Sequence, residues 1–240
     1  MLFRIRHRGG KRSGRATRSR SFTVVLGLAA AIGAAMSLGG ARAFSLSREA
    51  ATARLTYTRV LKGSTPEYLS IRIDSTGEGV YEGRNLNDPA DFRPLKLSPA
   101  TTRRLFDLTH ALDDFRNIDL ESHRKVADLG LKTLTYEQGG EKHQAQFNYS
   151  VRREAVELAE LFEKIAAVEQ HIVALEYESK YDHLSLPREL LQIQIDLNNK
   201  VLADPQLMVP TLDAIARNPR FLHIAQARAQ NLLERLQDSN

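Results

Sequence analysis

The stretch Tyr68-Leu69-Ser70-Ile71-Arg72-Ile73-Asp74 alternates apolar Leu69, Ile71 and Ile73 with more polar neighbours, then breaks at Ser75-Thr76-Gly77. A period of two places one set of side chains on each face of a strand, so this is a half-buried strand. The turn that follows returns the chain into Gly79 to Arg84, and an earlier strand is expected over Arg54 to Leu61. A second hairpin reads Leu131 to Gln138, Gly139-Gly140, then Glu141 to Tyr149, because paired glycines accept the positive φ of a tight turn. Between the hairpins Ser98-Pro99 announces a helix, with Ser as cap and Pro at the first helical position, where its missing N–H costs nothing. At 100° per residue, Leu105, Leu108, Leu112 and Phe115 fall on one side of that helix and Asp107, His110 and Asp114 on the other.

From Ser150 onward the spacing is helical. Leu158, Leu161, Phe162, Ile165, Ile172 and Leu175 recur at helical intervals along a long segment ending near Lys180. Further helix starts are expected at Leu186-Pro187, Asp204-Pro205 and Asn218-Pro219, which makes four helices in this half. The last pair, Val209 to Ala216 and Phe221 to Leu236, resembles a HEAT-type helical hairpin, with Leu212, Ile215 and Ala216 facing Ile224, Ala225, Ala229 and Leu232. One such unit is not a solenoid. The expected class is therefore α+β: an antiparallel sheet of two hairpins with a helix packed on one face over residues 44–149, then a helical region over 150–240 packed on the sheet.

The 240 residues carry a formal charge of +5, but nine of the 34 Lys and Arg lie in residues 1–43, which hold no Asp or Glu. The other 197 residues have 25 basic against 29 acidic groups, so the apparently basic protein is mildly acidic beyond its first segment. That distribution gives no electrostatic footprint for phosphates, and no nucleic-acid partner is expected. Residues 1–43 read as an Arg-rich opening, an apolar run from Phe22 to Leu38, and small residues to Ala43. This order is that of a secretory signal peptide, with Ala41 and Ala43 in the small-residue pockets and cleavage before Phe44. The general secretion route into the periplasm or beyond is expected, since Arg18 and Arg20 are separated by Ser19 and no twin-arginine pair occurs. The absence of Cys removes disulfides, thiol catalysis and thiolate metal sites.

Candidate chemistry is sparse. Asp107, His110 and Asp114, at i, i+3 and i+7, have the spacing of metal ligands on one helical face, but three polar residues opposite an apolar stripe are also what a solvated face looks like. Asp182-His183 pairs an acid–base candidate with a carboxylate that could orient it, while both residue types also suit a helix C-terminus and the turn after it. His123, Asp128 and His143 lie in or beside the second hairpin without ligand spacing. Tyr57, Tyr68, Tyr81, Tyr136 and Tyr149 fall on strands and would bind a peptide or glycan if they shared an open face, or would pack the core. The acidic residues Glu154, Glu157, Glu160, Glu163 and Glu169 of the long helix read as solvent-facing. No zincin, nucleophile-elbow, phosphate-loop or dinucleotide motif occurs, and no cofactor is expected.

Tyr68-Leu69-Ser70-Ile71 with Val80-Tyr81-Glu82-Gly83, Leu131 to Tyr136 with Phe147-Asn148-Tyr149, and Tyr181-Asp182-His183-Leu184 together carry a resemblance to a family of small exported bacterial proteins of unknown function. The resemblance implies an envelope location and brings no catalytic residues with it. The sequence thus points to a non-enzymatic binding module acting on another envelope protein or peptide, with its oligomeric state open. Two alternatives stand beside it: an enzyme with an unrecognised site near His110, His123, His143 or His183, and an accessory subunit tethered to the membrane by an uncleaved N-terminal segment.

Overall fold

A computed structural model describes residues 52–238, which lie in one compact unit. The segment expected to be a signal peptide, with the expected cleavage residues Ala41, Ala43 and Phe44, lies outside the described residues. Four strands form a meander: β1 (Arg54–Val60), β2 (Tyr68–Asp74), β3 (Glu78–Arg84) and β4 (Arg93–Lys96). Helix α1 (Pro99–Ala111) then leads to the hairpin of β5 (Leu131–Gln138) and β6 (Glu141–Phe147). Strand β5 pairs with β1, so the six strands make one antiparallel sheet in the order β4-β3-β2-β1-β5-β6. The α+β class holds, but the sheet is wider than two hairpins. Its unexpected member is β4, a short edge strand whose Pro94 is tolerated because only one of its sides is paired.

The register explains which face is covered. Leu55 pairs with Ile73 and Tyr136, and Tyr57 pairs with Ile71 and Leu134. All of these are buried, together with Tyr81, Ala145 and Phe147 on the same face. Burying this apolar row at roughly 25 cal/mol per Å2 supplies the main drive for sheet formation. Gly79 sits in β3 where a Cβ would run into the Arg72 carbonyl, which is why no larger residue stands there. The opposite face carries Thr56, Thr58, Ser70, Arg72, Thr133 and Gln146, the polar half of each alternation.

Helix α1 and the first half of α2 (Arg153–Tyr181) share one hydrophobic cluster with the covered face. From Val168 onward α2 belongs to a second cluster with α3 (Leu186–Asn198), α4 (Val209–Arg217) and α5 (His223–Asp238). One 29-residue helix therefore joins both cores. Three local expectations are corrected. Helix α1 stops at Ala111, because Asp113, Asp114 and Phe115 take positive φ. The Asn218-Pro219 pair makes a turn, with α5 starting only at His223. Ile224 is 51% exposed and does not face α4, whereas Leu212, Ile215, Ala225, Ala229 and Leu232 are buried in the second cluster as the hairpin reading requires.

Asp204 has an unexpected role. It opens only a short 3-10 turn (Pro205–Met208). Its carboxylate instead accepts from the Ser98 N–H at 2.6 Å, the Ser98 hydroxyl at 2.8 Å and the Thr101 hydroxyl at 2.6 Å. An anion at the N-terminus of α1 satisfies donors that the helix cannot satisfy itself.

Candidate functional site

The residues singled out from sequence are scattered. His110 Nδ1 and Asp114 Oδ1 meet at 2.6 Å because the chain turns sharply after α1, and Asp107 has no contact with either among the described residues. Asp182 accepts from the Ser185 hydroxyl at 2.6 Å, whereas the His183 ring meets Phe221 edge-on at 4.9 Å, so the carboxylate does not orient the imidazole. His123 pairs with Asp119 at 2.6 Å on an exposed loop, and His143 lies 3.3 Å from Arg116 Nε. Among the described residues no group of three or more His, Asp and Glu is placed to hold a metal ion, and no helix is long and apolar enough to cross a membrane. The strand tyrosines do not share an open face: Tyr57, Tyr81 and Tyr136 are buried in the core, and Tyr68 lies beneath Arg84.

Polar chemistry is concentrated instead along α2. Strand alternation puts Arg59 on the covered face with Tyr57, and α2 supplies Glu163 to meet both. The Tyr57 hydroxyl donates to Glu163 Oε1 at 2.6 Å, and Arg59 Nε lies 3.4 Å from the same oxygen. Burial, reinforced by the neighbouring carboxylate, pushes the Tyr57 phenol far above its ordinary range. One helical turn and a half further on, Glu169 is only 4% exposed and lies 3.9 Å from Arg93 Nε. Burial raises its carboxyl to about 7 despite Arg93, and Glu176 adds repulsion. Glu163 and Glu169 are therefore not the solvent-facing residues expected from sequence. Their positions carried a signal, since Glu169 is three residues from Ala166, four from Ile165 and three from Ile172, all of them apolar and inward.

A further group escaped the sequence reading. His171 of α2 is buried between two carboxylates of α3, with Nδ1 2.6 Å from Glu189 and Nε2 3.1 Å from Asp196. Burial favours the neutral ring, but the paired carboxylates outweigh it and hold the imidazole above its ordinary pKa.

Two clefts flank α2. On the β6 side, a cavity of about 460 Å3 is lined by Leu129, Phe147, Val156, Ala159, Ala167 and Val201. Lys132 borders it, but its ammonium already donates to the carbonyls of Leu129, Gly130 and Asn148 at 3.0, 3.2 and 3.0 Å. Glu163 on the other border is engaged by Tyr57. Lys132 and Glu163 are thus engaged within the protein, Glu160 and Lys164 also stand on the border, and the recess between them is mainly apolar. On the β4 side, a second cavity of about 480 Å3 lies between β3, β4 and the later turns of α2.

No protein-family model matches the chain, and a search of curated proteins finds no significant similarity.

Proposed function

We propose that the protein is an exported, non-enzymatic α+β binding module of the cell envelope, and that it takes an apolar side chain of a partner protein or peptide into the cleft between α2 and the β5–β6 hairpin. The observation that carries this reading is the cleft itself, an apolar recess of about 460 Å3 whose bordering Lys132 and Glu163 are already paired inside the protein. Recesses of this size and character are where apolar anchors of a partner are received. Support against catalysis is the dispersal of the imidazoles: His110, His123, His171 and His183 sit in four separate settings, three of them in local or helix–helix pairings. Export rests on the order of residues 1–43, basic, then apolar, then small.

Crosslinking followed by recovery of the full chain from envelope extract tests the reading. Wild type is expected to carry a discrete partner that is lost in Val201→Glu, a change at an exposed position on the cleft border. Recovery of the same species by both proteins, or of none by either, contradicts it. N-terminal sequencing of the envelope-associated protein is expected to begin at Phe44, and intact Met1 in the cytosol overturns the compartment.

A further inference from the structure

The β4-side cleft has a character different from the apolar one, and its partner class follows from groups left without partners. Gln170, Val173, Ala174 and Tyr177 recur at intervals of three and four, so they form one face of α2 and one wall of the cavity. The opposite wall comes from Tyr81 and Gly83 of β3, Arg93 of β4 and the connection between these strands. Gly83 opens this space, since any Cβ there would collide with the Tyr81 hydroxyl.

Two shielded side-chain atoms at this cavity have no hydrogen-bond partner among the described residues. Tyr81 is 2% exposed and lines the cavity. Glu178 is 9% exposed, and its Oε2 is shielded with no partner. Arg93 Nε is likewise shielded without a hydrogen bond, its ion-pair partner Glu169 lying 3.9 Å away. A buried carboxylate oxygen without a donor is unfavourable, so Glu178 marks this cavity of about 480 Å3 as a place where a ligand's donor would complete it.

Charge decides the kind of ligand. The cations at this cavity are engaged: Arg84 donates to Glu82 at 2.6 Å and lies over the Tyr68 ring at 4.6 Å, and Arg93 donates to Glu176 at 2.9 Å. Asp91 and Glu178, by contrast, have no ion pair within contact distance among the described residues. An anionic ligand would meet Asp88, Asp91 and Glu178 together. A cation would meet an acceptor oxygen on Glu178, the Tyr81 hydroxyl and aromatic faces. Tyr177, 60% exposed, lines the cavity, and beside it, outside the lining, the Lys180 ammonium lies 5.0 Å from the Tyr181 ring centroid. Rings placed this way attract ammonium groups.

We propose that this second cleft binds a primary ammonium carried on an unbranched apolar chain, with Glu178 as its counter-charge, Tyr81 as a neutral acceptor, and Val173 and Tyr177 along the chain. A free alkylamine and a lysine side chain of a peptide share this chemistry. The inference does not depend on the apolar cleft, which lies on the β6 side of the sheet.

The test is amide-resolved NMR titration of the full chain with hexylamine, 1-hexanol, hexanoate and a doubly blocked lysine. Hexylamine is expected to saturate with shifts confined to Gly83, Arg93, Ala174 and Tyr177, to exceed hexanol in affinity by about tenfold, as one charge-assisted hydrogen bond implies, and to exceed hexanoate further. Glu178→Gln is expected to remove that tenfold preference. Tyr177→Ala, at an exposed position where folding is not at stake, is expected to weaken hexylamine several-fold. Binding of the blocked lysine identifies a peptide source, and hexylamine binding alone a small-molecule source; either supports the site. Equal affinity for hexanol, stronger binding of hexanoate, shifts elsewhere on the molecule, or hexylamine affinity unchanged in Tyr177→Ala overturns it. None of these outcomes bears on partner recovery through Val201, so the two readings fail separately.

Discussion

Replacing His171 by Ala removes the ring that joins α2 to α3, and the consequence depends on pH in a direction fixed by the geometry. The protonated ring donates from both nitrogens, to Glu189 at 2.6 Å and to Asp196 at 3.1 Å. Hydrogen bonds to charged groups contribute about 1.5 kcal/mol or more each, so the clamp is worth about 3 kcal/mol while the ring is cationic. The side chains of all three residues are less than a quarter exposed, and solvent screening reduces this little. Because the folded-state pKa is raised, the contribution is fully present below the ordinary value of 6.5 and is lost as pH rises through the folded value. A neutral ring can donate from only one nitrogen, leaving about 1 kcal/mol. Urea unfolding of wild type and His171→Ala at about pH 5.5 and about pH 9 should give stability differences near 3 and near 1 kcal/mol. Equal differences at the two pH values would show that the ring is not a cation in the fold, and a larger difference at alkaline pH would reverse the reasoning.

Glu169 gives the same sign of pH dependence from an acid: its buried carboxyl is raised to about 7 against 4.5 when unfolded, so stability is highest at low pH and falls as pH rises between these values. Glu169→Gln is expected to be close to neutral at about pH 4.5 and to stabilise by up to about 3 kcal/mol at about pH 8, read from urea midpoints. Asp204→Ala should cost about 1–2 kcal/mol through loss of the carboxylate that caps α1, with Asp204→Asn retaining part of it, and a change below about 0.3 kcal/mol contradicts the capping role. In alkaline spectrophotometric titration, read as the difference between wild type and the Tyr57→Phe and Tyr81→Phe variants, Tyr57 and Tyr81, raised by burial, should ionise only with global unfolding. Ionisation of Tyr57 or Tyr81 while the protein is still folded would contradict their burial.

The elements that sequence reading placed well are those whose signal is local. Strands β2 and β5 carry clear period-two or β-branched runs, and α1 is announced by Ser98-Pro99. Strand β4 escaped because Arg93-Pro94-Leu95-Lys96 is too short to alternate visibly, and its Pro argues against a central strand; it forms because β3 offers a free edge. The end of α1 escaped because Asp113 and Asp114 tolerate left-handed backbone, while Phe115 still reaches the core after the turn. The site was less legible than the fold. His171 finds Glu189 eighteen positions away and Tyr57 finds Glu163 across more than a hundred. Such pairings depend on how α2 lies against the sheet and against α3, which no local spacing encodes. What could have been read is the inward placement of the charges. Arg59 shares the parity of Leu55 and Tyr57, and Glu169 falls on the apolar stripe of α2, so both were marked as buried charges in need of partners.

The claim that the protein works by holding a partner in the apolar cleft is tested most directly by site-specific photocrosslinking in living cells. A photoreactive residue at Val201, on the cleft border, is compared with one at Arg217, an exposed position at the end of α4 that does not line the cleft. The account predicts one discrete adduct from Val201, suppressed when Ala167 within the cleft is enlarged to Leu, and none from Arg217. Adducts of equal yield from both positions, or none from Val201 in cells that express the protein normally, would contradict it.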